Sequence, residues 1–531
     1  MVAALASCSV QAQSLAQDRS GTSASLILPE IDPVLAAERF DPVTMSGTQG
    51  YFRVGRSTTG HWWFQDPEGH PFFFRGVTSV SRGEDLKPTG PYTRRVLDLY
   101  GRDPAGFRKA TFERLRSWGF NALGAWSNQE LWDQGMPFTV ILNFAQSGPQ
   151  IDGTYLPDVF DPAWEKGIDA TAKKLAEPER TSKQLIGYFT DNELGWEQAP
   201  IGGLQLASDA LDPKHSPTLL QLCLSQGQGT AAYEAAWRFV LARHGNSLQQ
   251  LATDWKVPLD AQATVRLWTK GQSAIRSSEY LKDDAAFSGE FARRYFELTA
   301  KAIRKYDPNH LILGCRFGGP PGDAILAQVK RPWVDVVSAN NYRYEMQARM
   351  NIYYRATGLP VLNTEFSWGH VGFSERPLPN EEPTGASAVE RMVENGKTAL
   401  EDSFHLPGLV GWTWYRWVDK VDFVPPITYG LVTIHNDPNT ATTDLATRIN
   451  RCAERIAVTG TCGTRVHELS VSPLNNRSSV GAPAAQGDPP SLPDPRPDPD
   501  GFHQRRTLML QSLAGEDSTY FEKIKRVPDP N

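Results

Sequence analysis

The sequence predicts a (β/α)8 barrel, a ring of eight parallel strands surrounded by helices, and two observations support this. The first is a series of eight short apolar runs, the pattern of buried parallel strands. These runs are 72–77, 121–126, 138–143, 185–190, 311–316, 334–339, 360–364 and 409–414. The second is that stretches with apolar residues at helical spacing, such as 105–119, 162–176, 291–306 and 388–404, separate most of the runs.

Other segments complete the predicted organisation. Residues 51–77 alternate and turn at "DPEGHP", which predicts a short hairpin before the barrel. The gap between the fourth and fifth runs contains helical stretches such as 230–245, which we interpret as an insertion that walls the active-site mouth. We therefore expect three regions. They are a leader or tether at 1–45, the barrel at 46–465 and a disordered tail at 466–531, which has seven prolines in residues 481–500.

Composition narrows the classes of partner. The net charge is −6 and there is no block of Lys or Arg, so nucleic acid and anionic membranes are not expected. The five cysteines lack zinc spacing, and we expect neither a metal nor a cofactor. Whether Cys452 and Cys462 form a disulfide stays open, as does the oligomeric state. No run of 18 apolar residues predicts a membrane span.

The first residues bear on location. The segment "LASC" resembles a bacterial lipobox with Cys8 as the lipid-bearing residue, although the usual basic and apolar regions before it are missing. A signal whose start was assigned late and a chance match both fit. We expect export to the periplasm or beyond, with a lipid anchor at Cys8 as one form of it.

Two acidic residues follow predicted strands. Asp191, Asn192 and Glu193 come directly after the fourth run, and Glu365 ends the seventh. Active sites of such barrels lie at the carboxyl ends of the strands, so both glutamates are expected in one cleft. A helix N-cap at 191–192 and a salt bridge at Glu365 are the alternatives. Glycoside hydrolysis uses two carboxyl groups, of which one protonates the leaving oxygen and the other attacks the anomeric carbon.

The pairing of Asn-Glu after strand four with Glu after strand seven resembles the clan of retaining (β/α)8 glycosidases. The resemblance implies that Glu193 is the acid/base, that Glu365 is the nucleophile and that Asn192 bonds the 2-hydroxyl of the sugar. Over about residues 50 to 450 the chain resembles the β-agarases of glycoside hydrolase family 50, and more loosely the β-galactosidases of family 42. The segments that carry this resemblance include "HWWFQDPEGHPFFFRGV", "LIGYFTDNELGW", "RYFELTAKAIRKYDPNHLILGCRF" and "PVLNTEFSWG".

Four further residues are candidate substrate contacts. Tyr342 ends strand six, where many clan members bond the nucleophile with a tyrosine; packing at the rim is the alternative. Trp414 closes strand eight, where the clan stacks an aromatic ring under the sugar, while the neighbouring Trp412 and Trp417 fit a core role. Trp126 and Arg316 end strands two and five, where a subsite contact and a structural role are both open.

Motifs of other enzyme classes are missing. There is no G-x-S-x-G elbow, no Walker loop and no H-E-x-x-H, and "GQGTAA" at 227–232 follows a helix rather than a strand. We therefore expect a retaining β-glycosidase acting on β-galactosidic linkages of agar-type galactans or their oligosaccharides. The alternatives are a β-glycosidase for small oligosaccharides and a surface protein that binds carbohydrate without turnover.

Overall fold

The protein is described from a computed structural model. It describes residues 24–83, 90–152, 154–196, 218–257, 277–342, 346–367, 396–420 and 430–462. The candidate lipid-bearing Cys8 and the predicted tail at 466–531 lie outside these ranges.

A small antiparallel sheet precedes the barrel and covers one end of it. Its strands are β1 (Arg53–Arg56), β2 (Trp62–Gln65) and β3 (Pro71–Phe72), in the order β1-β2-β3. The turn between β2 and β3 is held by Asp66, which accepts hydrogen bonds from the N–H groups of Glu68 and His70, both at 2.9 Å. Aromatic side chains of this sheet pack into one apolar cluster with residues of the barrel interior, so the sheet seals that end.

Eight parallel strands form the main sheet, which confirms the predicted α/β barrel class. They are β4 (Phe74–Val77), β5 (Ala122–Leu123), β6 (Phe138–Ile141), β7 (Leu185–Phe189), β8 (Leu311–Ile312), β9 (Val337–Asn340), β10 (Val361–Phe366) and β11 (Leu409–Trp414). The order β8-β7-β6-β5-β4-β11-β10-β9 makes strands that follow one another in the chain neighbours in space. Each strand overlaps or adjoins one of the eight predicted runs. Their carboxyl ends therefore meet at one rim.

The two outer strands of that sheet also contact each other. The N–H of Asp335 donates to the carbonyl of Ile312 at 2.9 Å, and the N–H of Phe317 donates to that of Ser338 at 2.9 Å. Phe317 and Ala339 form a parallel bridge. These bonds join the segment around β8 to β9, and so the sheet curls back on itself.

The described α-helices lie between successive barrel strands, except the last one, which follows β11. They are α1 (Pro91–Tyr100), α2 (Pro104–Ser117), α3 (Pro162–Leu175), α4 (Leu219–Leu224), α5 (Ala231–Arg243), α6 (Leu248–Trp255), α7 (Ser278–Tyr306), α8 (Asp323–Leu326), α9 (Met346–Thr357), α10, described over 396–404, and α11 (Thr440–Thr459). Asp103 and Asp161 cap α2 and α3, and a proline follows each cap at the first helical position. Helices α4 to α7 stand between β7 and β8. Near the end of α11, Cys452 and Cys462 form a disulfide.

A buried ionic cluster ties helices α5, α6 and α7 together. His244, which ends α5, bonds Asp254 of α6 through Nδ1 at 2.6 Å and Asp283 of α7 through Nε2 at 2.7 Å. Asp283 also accepts hydrogen bonds from Trp255 and Arg243. Burial alone would lower the pKa of His244, but the hydrogen bonds and charges of the two aspartates outweigh it and raise the pKa.

We expect this cluster to stabilise the protein in a pH-dependent way. A histidine whose folded-state pKa is raised stabilises the fold fully below its unfolded pKa, and loses that contribution as the pH rises through the folded value. His244→Gln should therefore lower the free energy of unfolding at pH 6 by about 1–3 kcal/mol, the range for hydrogen bonds to charged groups. The loss should shrink at pH 9, as measured by urea denaturation. The exposed His435→Gln serves as control, and equal losses for His244→Gln at both pH values would contradict this account.

Candidate active site

Residues from four adjacent strands meet at the carboxyl rim of the barrel. Asn192 and Glu193 follow β7, Arg316 follows β8, Asn340 ends β9 and Glu365 lies in β10. In the register of the sheet, Glu365 pairs with Asn340. Side-chain hydrogen bonds connect all five residues, so the structure brings the two predicted glutamates into one site.

Glu365 is held by a donor on each carboxylate oxygen. Arg316 Nη2 donates to Oε1 at 2.8 Å, and the Tyr342 hydroxyl donates to Oε2. The Glu365 side chain is only 8% exposed. A carboxylate accepts hydrogen bonds and a guanidinium only donates them, so both contacts suit the ionised form. Tyr342 thus bonds Glu365, as the clan resemblance implies.

Glu193 lies in a different environment. It is half-buried, and Asn340 Nδ2 donates to its Oε1 at 2.7 Å. Burial raises the pKa of Glu193, and the charge of Glu365 raises it further, to about 7, although the Asn340 hydrogen bond and the Arg316 charge oppose both effects. Glu193 is therefore partly protonated at neutral pH. Two carboxyl groups with such different surroundings can serve as an acid and an anion in one site.

The carbonyl oxygen of the Asn192 amide accepts two hydrogen bonds. Its Oδ1 accepts from Arg316 Nη1 at 2.6 Å and from Asn340 Nδ2 at 3.1 Å. Because these two donors occupy the acceptor side of the amide, the donor side is the part left for a ligand.

Arg316 lies beneath the cleft rather than in it. Its side chain is fully buried and reaches Asn192, Glu365 and the Thr364 carbonyl. The guanidinium lies over the Trp126 ring, 4.2 Å from the ring centroid. The expectation of a direct sugar contact is thus not supported for Arg316, because no part of its side chain is exposed. Trp126 is half-buried and supports Arg316.

The predicted stacking residue Trp414 is also fully buried. Its ring packs against Phe366 and Trp412, so it has no open face for a sugar. Trp412 and Trp417 are buried as well, in agreement with a core role. The half-buried aromatic side chain at this strand end is that of Tyr415, whose ring meets Tyr342 edge-on at 6.3 Å. Sequence reasoning missed Tyr415, although it directly follows the predicted strand.

Asp191 belongs to the scaffold. Its Oδ1 accepts from the N–H of Ala145 at 2.8 Å, and its Oδ2 accepts from the Tyr295 hydroxyl of α7. Burial raises the pKa of Asp191 to about 7 despite these hydrogen bonds. Residues 191–196 are not helical, so the N-cap interpretation does not apply. Asp191 instead joins β7 to the loop after β6 and to α7.

Five successive strands end in a residue with left-handed backbone. These residues are Ser79 (φ 56°), Trp126 (φ 58°), Asn143 (φ 53°), Glu193 (φ 47°) and Arg316 (φ 51°). Each such non-glycine residue costs about 1–3 kcal/mol and persists only when its surroundings fix it. Backbone hydrogen bonds to the neighbouring strand end do so here, including Ser79 N–H to the Ala125 carbonyl at 2.9 Å and Glu193 N–H to the Arg316 carbonyl at 3.0 Å.

Among the described residues, no group of three or more His, Cys, Asp or Glu side chains is placed to hold a metal ion. Within the same part of the chain, no helix has the length and apolar character needed to cross a membrane.

Comparisons with known proteins find sequence similarity to two proteins named β-agarases. β-Agarase B of Vibrio sp. (strain JT0107) is 24% identical over 327 residues, which cover 59% of this chain and 32% of the relative. β-Agarase A of the same strain is 23% identical over 477 residues, covering 76% of this chain and 46% of the relative. The chain is similar in sequence to β-agarases. It spans about a third to a half of the length of these relatives.

The chain also shares its fold with a solved structure. The crystal structure of the agarase AgWH50C superposes with a TM-score of 0.63 at 21% identity, covering 78% of this chain and 67% of that one. No family model matches the chain. The predicted resemblance to β-agarases is confirmed by the sequence similarities, and the shared barrel by the superposition.

Measurements of stability can distinguish the structural role of Asp191 from the role of its neighbour Glu193. Asp191→Ala should lower the free energy of unfolding by about 2–4 kcal/mol, because the Ala145 N–H and the Tyr295 hydroxyl lose their buried acceptor. Glu193→Gln retains the shape and an acceptor for Asn340, so it should leave stability nearly unchanged. Chemical denaturation of both variants measures this. An Asp191→Ala variant as stable as wild type would contradict the structural role and make Asp191 a candidate catalytic residue.

Proposed function

We propose that the protein is a glycoside hydrolase that cleaves β-galactosidic linkages of agar-type galactans or their oligosaccharides. The observation that carries the proposal is the pair Glu193 and Glu365, which share one cleft in opposite environments. The similarity to proteins named β-agarase supports the substrate class. The predicted export would place the enzyme with a polymer outside the cell.

We assign Glu193 as the general acid of the first step. Near neutral pH a share of Glu193 carries a proton, which it gives to the glycosidic oxygen as the bond to the anomeric carbon breaks. Glu365, held by Arg316 and Tyr342, supplies the electron pair that forms the new bond to that carbon. The products of this step are a free alcohol and a glycosyl ester on Glu365.

In the second step Glu193 acts as a general base instead of an acid. Now ionised, it removes a proton from water, which attacks the anomeric carbon and releases Glu365. This double displacement retains configuration and requires the two carboxyl groups to be about 5–5.5 Å apart, against about 6.5–9.5 Å for direct attack by water with inversion. Both carboxyl groups belong to one hydrogen-bond chain, which runs from Glu193 through Asn340, Asn192 and Arg316 to Glu365.

Two neighbours complete the proposed sugar site. The amide N–H groups of Asn192 are available for the 2-hydroxyl, a contact that strengthens in the transition state. Tyr415, rather than Trp414, offers a partly exposed ring at the end of β11 on which the sugar can stack.

Hydrolysis assays test this function directly. The full chain should release sugars from agarose or neoagaro-oligosaccharides, and Glu193→Gln and Glu365→Gln should abolish the release. Turnover restricted to lactose and aryl β-galactosides would favour the small-oligosaccharide alternative. Binding of agarose without any turnover by the wild type would indicate a carbohydrate-binding protein and refute the proposal.

Azide rescue separates the roles of the two glutamates. With an aryl β-galactoside, Glu193→Ala should still form the glycosyl ester, because the activated leaving group needs no acid, but it should stall afterwards. Azide needs no base and fits the vacated space, so it should restore turnover and give the β-glycosyl azide. Product configuration is read by proton NMR.

The matched control replaces the other glutamate, Glu365. Glu365→Ala has no nucleophile, so azide entering from that side should give the α-glycosyl azide. An α product from Glu193→Ala together with a β product from Glu365→Ala would reverse the assignment.

A further inference from the structure

Asn340 connects the two halves of the site. It is the last residue of β9 and is almost completely buried, with 4% of its surface exposed. Its backbone pairs with Glu365 on one side, and its side chain extends towards Glu193. Sequence reasoning did not select Asn340, since one asparagine in "SANNY" has no distinctive signal.

The orientation of its amide follows from the neighbouring groups. A guanidinium only donates, so the Asn192 atom 2.6 Å from Arg316 Nη1 is its carbonyl oxygen. The Asn340 atom 3.1 Å from that oxygen must then be the amide nitrogen, which also lies 2.7 Å from Glu193 Oε1. On its other side, Asn340 Oδ1 accepts from the Thr364 hydroxyl at 2.7 Å. Arg316, acting through the Asn192 oxygen, thus prevents the Asn340 amide from flipping.

We infer that Asn340 is a positioning residue for Glu193, fixing Oε1 as an acceptor, leaving Oε2 to carry the transferable proton, and stabilising the carboxylate. The inference rests on the proposed acid/base role of Glu193. In the first step the proton leaves Oε2 for the glycosidic oxygen, and the negative charge that develops on Glu193 is met by the Asn340 N–H. In the second step the same bond keeps the carboxylate oriented as it takes a proton from water.

The charges around Glu193 make the Asn340 donor important for stabilising the Glu193 carboxylate. Glu365 on β10 repels a second negative charge, while Arg316 after β8 attracts it, and the charge of Glu193 also acts on the buried Tyr353 hydroxyl of α9. Arg316 is shared with Glu365, to which it donates directly. The Asn340 amide is the neutral donor bonded to Glu193 itself, and it opposes the effect of burial on the Glu193 pKa.

Removing the donor should raise the pKa of Glu193. The Glu193 carboxyl is titrated by ¹³C NMR of protein labelled at the glutamate side chains, and its signal is assigned by its loss in Glu193→Gln. Asn340→Ala should raise this pKa by about one unit, the effect of losing one hydrogen bond to a charged group. The basic limb of kcat/KM should move upward equally. Asn340→Ser, which is too short to reach Glu193, gives the same test if Asn340→Ala does not fold.

Thr364→Val is the matched control. It removes the bond to Asn340 Oδ1 but keeps both N–H contacts, so its shift should be less than half as large. An unchanged Glu193 titration in Asn340→Ala, or an equal shift in Thr364→Val, would overturn the inference. The titration needs no turnover, so absence of hydrolysis by the wild type would refute the proposed function alone. Wild-type turnover with a basic limb that Asn340→Ala leaves in place would refute this inference alone.

Discussion

The site depends on one buried cation, Arg316, whose charge acts on both acids. Arg316 is fully buried and binds the carboxylate of Glu365 and the carbonyl oxygen of Asn192. One guanidinium balances one carboxylate, and burying a second negative charge beside them would be expensive. Burial and the charge of Glu365 therefore raise the pKa of Glu193 to about 7. The surroundings of the two glutamates thus differ, because Arg316 bonds Glu365 directly whereas the neutral Asn340 amide bonds Glu193.

The barrel supplies the geometry that this balance requires. Adjacent parallel strands deliver Glu193, Arg316, Asn340 and Glu365 to one rim in a fixed register. Left-handed backbone at Glu193 and Arg316 turns the chain at these strand ends, and inter-strand hydrogen bonds hold it there. Asp191, between strand and site, anchors the rim to α7 through Tyr295. The hydrogen bonds beneath the rim offset the backbone strain at these strand ends.

The sequence predicted those features that depend on local pattern. Eight apolar runs located the eight strands, and acids following two of them located Glu193 and Glu365. It did not predict Asn340 or the buried position of Arg316, because both depend on contacts between residues far apart in the chain. Trp414 and Tyr415 show the limit most clearly. They are neighbours at one strand end, and only the strand's twist and register decide which ring is buried.

The central claim is that Glu365 attacks the sugar while Glu193 exchanges a proton. The most direct measurement is proton NMR of the first product released from a neoagaro-oligosaccharide, recorded before the anomers equilibrate. Double displacement predicts that the β anomer appears first and that the α anomer grows in later by mutarotation. If the α anomer appears first, water attacks directly, Glu365 acts as a base rather than a nucleophile, and the account of the site given above is contradicted.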